Sequence, residues 1–595
     1  MDTTNTQVAT LLRSVAAALL IKKESRFRIV AYEKAADVIE QMAKDLKDVW
    51  HEGKLDDVPG IGQSIARYLD EYYKTGHVKH FSQVFAGIPE ATFVLMNVPG
   101  IGPIKAYKLA TTFKLHNPKT ALKDLRSVAV EGRIAELESF GSRSQSLIIE
   151  SLDRFVASQQ SPSRMLMPVA AEIADRLITY LKQHPAVQKV DVLGSLRRGL
   201  STIGDIDIAC IVSKDAASDV IKHFTTYPDK IAVDNQGDKK TSLILPPGLR
   251  VDLRVEEAEG YGAMLQYFTG SKAHNIKLRE FALSKGYSLN EWGIKQMQGK
   301  EQTLHKMPTE EAFYRFLGLP YIEPELREDA GEIEAARDNR LPHLIKLTDI
   351  KGDLHTHSSY DLKPSHDRGA NTFVEMLDHA AKLGYEYLGF SEHNPKVSGL
   401  TKTEIVDIMR RRKEVLDALT DSKVSPVQIF NGLEVDIKPN GDIALPERAV
   451  EYVDYLIVSV HSSFTQNKVD MTRRVTRALL HPKVRIWGHP TGRLIQKRAG
   501  IEVDWDEIFD VAFKRNIALE INASPDRLDL PDSLVREGLK LGLKFVVNTD
   551  AHAVFGMDGM KYGTSVARRG WLEKKDVVNA LPLNQFRKWV REQDA

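Results

Sequence analysis

The sequence predicts a multidomain chain, α+β in its earlier part and α/β in its last, and three observations predict it. The chain has 595 residues, more than one hydrophobic core organises, so three or four domains are expected. Apolar residues near the N-terminus recur at helical spacing, whereas Asp205-Ile206-Asp207 alternates carboxylate and apolar residue as an extended strand does. From about Lys346 onward, seven apolar strand-like runs each end in polar residues, with helix-compatible segments between most of them. Strands alternating with helices imply a parallel sheet, and functional groups at the same end of successive strands point to a barrel with its site at the C-terminal face.

Composition narrows the class. Hydrophobic residues make up 42% and charged residues 27% of the chain, values of a soluble globular protein. No apolar stretch approaches the ~18 residues of a membrane span, and Met1-Asp2-Thr3-Thr4-Asn5 lacks a basic-then-apolar leader, so a cytoplasmic protein with no membrane partner is expected. The single cysteine, Cys210, excludes an internal disulfide framework. A net charge of +1 leaves a nucleic-acid partner to be decided by local clusters and backbone amides.

Residues 8 to 50 read as helical, with Leu11, Leu12, Val15, Leu19 and Leu20 three and four apart. Val58-Pro59-Gly60-Ile61-Gly62 then makes a turn before a helix, and the pattern repeats at Val98-Pro99-Gly100-Ile101-Gly102. One such turn is ordinary. Two copies about forty residues apart resemble helix-hairpin-helix motifs, in which glycine lets backbone amides approach a phosphate without reading sequence. That resemblance implies DNA contacts at Gly60, Gly62, Gly100 and Gly102. A degraded third copy lies at Leu137 to Gly141. Arg26-Phe27-Arg28, followed by Ala31 to Ala36, is similar to the start of the small N-terminal domain of polymerase beta, which implies that Lys34 binds a DNA phosphate.

A Ser/Gln/Pro-rich hinge runs from about Ser158 to Arg164. Beyond it comes Gly194-Ser195-Leu196-Arg197-Arg198-Gly199, then Gly204-Asp205-Ile206-Asp207. On a strand, Asp205 and Asp207 share one face while Ile206, Ile208 and Cys210 line the other. Asp252, also alternating with apolar residues, is placed on a neighbouring strand. Three converging carboxylates repel one another unless cations lie between them, and hard oxygen ligands suit Mg²⁺ or Mn²⁺ in a two-metal site for phosphoryl transfer. Asp-x-Asp alone is most often a polar strand face. Here a flexible glycine, a hydroxyl and fixed positive charge precede it, as holding a triphosphate requires. G-S-x-R-R-G, G-D-x-D and a separate aspartate resemble the palm of the family X DNA polymerases, within the nucleotidyltransferase superfamily. The resemblance implies a mixed-sheet palm, catalysis by Asp205, Asp207 and Asp252, and nucleotide binding by Gly194, Ser195, Arg198 and Gly204.

Tyr267-Phe268-Thr269-Gly270-Ser271 follows, with Asn275 and Arg279 on the helical face of Ser271. A capped helix start explains the serine equally well. The pattern also resembles the family's nucleotide pocket, which implies Tyr267, Phe268 and Gly270 beside the incoming sugar, and Asn275 and Arg279 toward the base and template. Trp292 and Phe316 to Tyr321 read as core and domain-closing packing. Residues 323 to 339, rich in Glu, Asp and Arg, read as a solvated linker or surface helix.

The seven C-terminal runs deliver His355, His357, His393, Glu434, His461, His489, Asp550 and His552. One histidine at a strand end is most often structural; eight such groups are not a coincidence. Imidazole mixed with carboxylate suits two or three ions of Mn²⁺, Zn²⁺ or Fe²⁺. The arrangement resembles the polymerase and histidinol phosphatase (PHP) domain, a distorted TIM-like (β/α)7 barrel whose metal cluster activates water toward phosphoesters. Many such domains follow His-x-His with Ser-Asp-Gly, whereas Asp361 to Gly369 replaces it here. Asp361 and Asp367 both qualify as the missing ligand, and Asp367 is preferred because Gly369 and Asn371 follow it.

Together these resemblances identify the chain as a family X DNA polymerase with a C-terminal PHP domain. They imply a helical domain over 1–85, a second over 86–157, a palm over 158–257, a thumb over 258–325, a linker over 326–345 and the PHP domain over 346–595. The implied function is short-gap filling in DNA repair with 3′-5′ exonuclease or 3′-end phosphoesterase activity. A monomer is expected, working at the nucleoid on gapped or primer-template DNA with deoxynucleoside triphosphates. One alternative is a DNA-binding phosphoesterase that keeps the palm as scaffold; another is a nucleotidyltransferase acting on a different acceptor.

Overall fold

The computed structural model describes residues 5–591 apart from 42–45, 52, 59, 99, 139, 161–163, 247 and 298–302, so Pro59, Pro99, Ser139 and the middle of the expected hinge lie outside the described residues. Helices Asn5–Ile21, Arg26–Gln41, Gln63–Thr75 and Lys79–Phe85 close one apolar cluster running from Val8 to Val84. A second cluster, from Ala91 to Leu152, gathers helices Pro103–Thr112, Ala121–Val130 and Ser142–Gln160. The two glycine turns are built alike. Ile61 N–H donates to Val58 O and Ile101 N–H to Val98 O, both at 3.0 Å, and Gly62 and Gly102 each cap the helix that follows.

Five strands form the palm sheet: β1 (Lys189–Val192), β2 (Ile206–Ile211), β3 (Ala232–Gln236), β4 (Lys240–Leu245) and β5 (Leu249–Glu256). Their order is β1-β2-β5-β4-β3, with only β2 and β5 parallel, so the sheet is mixed as expected. Ile206, Ile208 and Cys210 are fully buried on one face. Beyond the carboxylates the other face is covered by helix Tyr261–Thr269, whose Tyr261, Met264 and Leu265 pack with Ala209.

Seven further strands, β6 (Gly352–Thr356), β7 (Tyr387–Phe390), β8 (Gln428–Asp436), β9 (Tyr455–Ser459), β10 (Val484–Trp487), β11 (Ala518–Asn522) and β12 (Phe545–Asn548), pair in sequential order and all in parallel. Thr356 bridges Ala551, and Leu354 N–H donates to Asn548 Oδ1 at 3.0 Å, bringing the first and last strands together. Tyr455 fills the interior and donates to Leu354 O at 2.6 Å. Helix Leu583–Arg591 seals the lower end, Phe586 stacking on Tyr387 at 4.4 Å. The histidines and carboxylates at the strand ends are left at the upper, C-terminal end.

Two expectations are corrected. The charged segment over 326–345 is not solvated throughout: of its two readings it keeps the surface helix, Glu332–Arg337, with Glu334 and Arg337 exposed, while Arg327 and Glu332 are fully buried and Ile333, Ala335 and Ala336 pack into the thumb's apolar cluster. The two buried charges are paired with residues outside the segment. Arg327 donates to Glu310 Oε1 at 2.6 Å, and Glu332 meets His274 Nδ1 at 2.6 Å. Burial of a charge requires such a partner, and a partner distant in sequence leaves no mark on local composition. Trp292 is not core packing either. It is 52% exposed, in the turn between strands Tyr287–Asn290 and Gly293–Gln296. Among the described residues no helix is long and apolar enough to cross a membrane.

Candidate functional site

Parallel pairing of β2 with β5 sets Asp207 directly beside Asp252, and Asp205 lies two residues ahead on the same face. Burial first, then the neighbouring carboxylates of Asp205 and Asp252, pushes the Asp207 carboxyl up to about 6. Burial also opposes ionisation of Asp252. Hydrogen bonds from Ser242, Lys240 and Arg250 outweigh it and hold that carboxyl below its ordinary value. Gly194 adopts φ +60°, and a Cβ there would lie 2.8 Å from Asp207 Oδ2, so only glycine lets the following turn approach the carboxylates.

Gly194–Arg197 is one helical turn with Ser195 half-buried. Arg198 Nε donates to Glu328 Oε1 at 2.9 Å, and its Nη1 donates to Thr269 O. Gly204 precedes Asp205 in the connection between Thr202–Ile203 and β2. The rings of Tyr267 and Phe268 stand 5.0 Å apart, edge to face, with Arg254 3.6 Å over Phe268 and Arg279 5.6 Å over Tyr267. Asn275 is buried and spends its amide locally, donating to Tyr267 O and accepting from Gln266 Nε2, both at 2.8 Å. Gly270, at φ +67°, brings the chain against Arg198, whose Nη1 is 3.3 Å from the position of a Cβ.

At the barrel's upper end, eight strand-end residues converge. Glu434 on β8 is central: its Oε2 lies 3.2 Å from His355 Nε2 and 2.9 Å from His393 Nδ1, while Oε1 lies 3.3 Å from His461 Nε2 and 3.0 Å from His489 Nε2. His357 Nε2 lies 3.1 Å from Asp550 Oδ1. His357, His393 and His552 form one compact ligand group; His355, His357, Glu434 and Asp550 form another; His393, Glu434 and His461 form a third. Asp367 Oδ1 and Oδ2 each lie 3.3 Å from an imidazole, of His393 and His552 respectively, whereas Asp361 faces Arg368 at 3.5 Å. The longer loop is carried in by Gly369, where a Cβ would fall 1.9 Å from His357 O.

The donor set fits divalent metal ions. His355 Nε2, both nitrogens of His357, His393 Nδ1, His552 Nε2 and Glu434 Oε2 are buried without a hydrogen-bond partner, the state of ligand lone pairs aimed at a common centre. Burial, reinforced by His552, holds His357 neutral with its pKa well below the ordinary value. Glu434 is held ionised by His355, His393 and His461, which outweigh its burial.

Three residues of this site escape the sequence reading. Glu520 accepts from His355 Nδ1 at 2.7 Å and from His489 N–H at 2.6 Å, fixing the orientation of the first imidazole. Asp436 Oδ1 lies 2.7 Å from His461 Nδ1 and 2.9 Å from His366 Nε2, and His366, Asp436 and His461 make a further potential ligand group. Asp436 had a signal, since two residues beyond Glu434 a strand returns to the same face. Glu520 ends one of the seven runs, and nothing in the run distinguishes a ligand from its support.

Comparison with known proteins agrees with this layout. A helix-hairpin-helix domain model matches residues 3–78, a DNA polymerase beta thumb model 264–328 and a PHP domain model 353–524. The chain is 32% identical over 589 residues, covering 98% of it and 99% of the relative, to the DNA polymerase/3′-5′ exonuclease PolX of Bacillus subtilis. The chain belongs to the PolX family. Other relatives match shorter stretches of the chain. DNA polymerase lambda of Rattus norvegicus is 24% identical over 51% of this chain and 53% of its own length. A probable phosphatase of Clostridium acetobutylicum is 28% identical over 34% of this chain and 79% of its own length. Asp550 and His552 lie beyond the PHP match, yet the PolX fold returns them to the ligand group through β12.

Proposed function

We infer that this chain is a DNA-directed DNA polymerase that fills short gaps during repair and trims 3′ ends at its PHP domain. The observation that carries the reading is the pairing of Asp207 with Asp252 across β2 and β5, in a chain alignable end to end with PolX. Divalent cations, when bound, supply Lewis acidity and charge neutralisation for nucleotide addition at one site and for activating water at the other. Asp205, Asp207 and Asp252 would hold Mg²⁺ or Mn²⁺. His355, His357, Asp367, His393, Glu434, His461, His489, Asp550 and His552 would hold two or three ions of Mn²⁺, Zn²⁺ or Fe²⁺. Gly194, Ser195 and Gly204 cradle the triphosphate, with Arg198 turning from Glu328 toward it. Tyr267 and Phe268 support the sugar at the Gly270 turn. Asn275 pins that turn, and Arg279 extends toward the base.

A gapped duplex incubated with and without nucleotides, in Mg²⁺ and then Mn²⁺, tests both activities. Extension with nucleotides and 3′ shortening without them is expected; hydrolysis with no extension would favour the scaffold-palm alternative.

The hairpins hold DNA through phosphates. At Gly100, exposed at φ +86°, a Cβ meets nothing within 4 Å inside the protein, but the left-handed backbone there strains any residue other than glycine. Gly100→Gln is therefore expected to weaken binding of unrelated duplexes equally, measured by fluorescence anisotropy, because phosphate contacts carry no base information.

The N-terminal domain is expected to have weak or no lyase activity of the polymerase beta type. At the position where that family presents its Schiff-base lysine stands Tyr68, stacked on His80 at 4.6 Å, and Ser64 occupies the other lysine position of that helix. A phenol forms no imine. Borohydride trapping on an incised abasic site is expected to give faint capture, unchanged by Tyr68→Phe; strong capture abolished by changing Lys74 or Lys79 would refute this.

A further inference from the structure

The barrel helix Met560–Arg569 ends in two arginines, and both reach toward the polymerase half of the chain. Arg568 Nε donates to Glu325 Oε1 at 2.7 Å. Arg569 goes further: its Nη1 donates to Arg198 O and to Glu328 Oε1, both at 2.9 Å, and its Nη2 lies 2.7 Å from Asp532 Oδ2. Glu328 Oε1 serves two guanidinium groups, because Arg198 Nε donates to the same atom at 2.9 Å. The side chains of Arg198 and Arg569 are only 11% and 10% exposed, so solvent ions screen these charges little.

The backbone and the side chain of Arg198 are held by different groups. Arg569 fixes the carbonyl, and the next residue, Gly199 at φ +69°, is seated where a Cβ would lie 2.1 Å from Ser565 Oγ. The guanidinium is held by Glu328 and by Thr269 O. Swinging it toward a triphosphate leaves a partly buried carboxylate behind, and an uncompensated charge in such a place is costly. Glu328 keeps a partner in that state because Arg569 stays.

We propose that Arg569, a residue of the PHP barrel, is a positioning residue for nucleotide addition in the palm: it holds Glu328, so that the Arg198 side chain can leave that carboxylate for the triphosphate of the incoming nucleotide. The inference rests on the reading of Arg198 as a triphosphate ligand. Glu328 is then a latch, closed on Arg198 without nucleotide and occupied by Arg569 alone with it. The barrel thereby sets the affinity of the polymerase site for nucleotide without touching the palm carboxylates.

The test is steady-state primer extension by the full-length enzyme on a gapped duplex, with the deoxynucleoside triphosphate varied. Arg569→Gln is expected to raise KM for the nucleotide about tenfold, the size of one charge-assisted hydrogen bond, with little change in kcat, because Arg198 would then leave Glu328 with no partner. Glu328→Gln is expected to lower KM below that of the parent, and adding it to Arg569→Gln should bring KM back to the parent's value or below. A residue that only held the two domains together would give a double variant worse than either single one, which would overturn the proposal. The rise in Arg569→Gln should persist at high salt; a rise that vanishes there would mean that Arg569 acts only through its long-range field, and would also overturn it. If thermal melting shows that Arg569→Gln does not fold, Glu328→Gln, which alters no barrel residue, decides: KM unchanged or raised in that variant refutes the latch. Arg198→Gln separates the two readings. No rise in KM there removes the triphosphate role of Arg198 and the proposal with it, whereas a rise there beside an unchanged KM in Arg569→Gln refutes the positioning role alone.

Discussion

Asp207→Asn is expected to abolish nucleotide addition, by about 10³-fold or more, while leaving 3′-end hydrolysis in place and making the metal-free protein more stable. The loss follows from the pairing of Asp207 with Asp252, since a neutral amide at 207 leaves the site without its central carboxylate. The gain follows from the same placement. Burial and like charge raise the Asp207 carboxyl to about 6 from an ordinary 3.8, so the folded protein holds a proton that the unfolded chain releases. Stability from that proton is fully present below the ordinary value and is lost as pH rises through about 6. Two pKa units correspond to roughly 3 kcal/mol. Denaturant titrations in chelator should place the Asn variant above the parent at pH 8, with the difference narrowing toward pH 4. A variant no more stable at pH 8 would mean that the carboxylate is already neutralised by Arg254 and Lys240. Loss of hydrolysis in the same variant would mean that the two chemistries are not separable.

Glu434→Gln is expected to do the reverse, removing 3′-end hydrolysis by about 10³-fold and sparing primer extension. Four imidazoles lie within 3.3 Å of the Glu434 carboxylate, and an amide offers one acceptor oxygen where two are used. Mn²⁺ binding, followed by electron paramagnetic resonance, should weaken in parallel, which distinguishes lost ligation from lost DNA binding. Glu520→Gln provides a graded companion. Glu520 orients His355 through Nδ1 at 2.7 Å, so its loss is expected to cost about 10–100-fold in metal affinity. Glu434→Gln with undiminished Mn²⁺ binding would relocate the centre to the His366, Asp436 and His461 group.

The separation of the two chemistries does not mean separation of the scaffolds. Gly199 of the palm packs so closely on the barrel that a Cβ would lie 2.1 Å from Ser565 Oγ. Arg569 donates to Arg198 O and to Glu328 Oε1, both at 2.9 Å. The polymerase loop and the PHP helix Met560–Arg569 are therefore in direct contact.

The sequence alone determined the features that repeat with a local period. Asp205 and Asp207 share a face because a strand repeats every two residues, and the residues that gather at the barrel's upper end were legible because each ends an apolar run of strand length. The paired glycine turns were legible because their spacing from helix to helix recurs. Only the tertiary structure decided which neighbours those residues acquire. Asp367 rather than Asp361 faces His393 and His552 because Gly369 folds the loop onto His357. Arg327 and Glu332 are buried because Glu310 and His274, from the thumb, pair with them. Lys34 meets the PHP loop across 335 residues of chain. A contact between distant segments is set by how whole domains pack, and packing energy is shared among many apolar side chains, none of which marks in its own sequence neighbourhood the partner it will find.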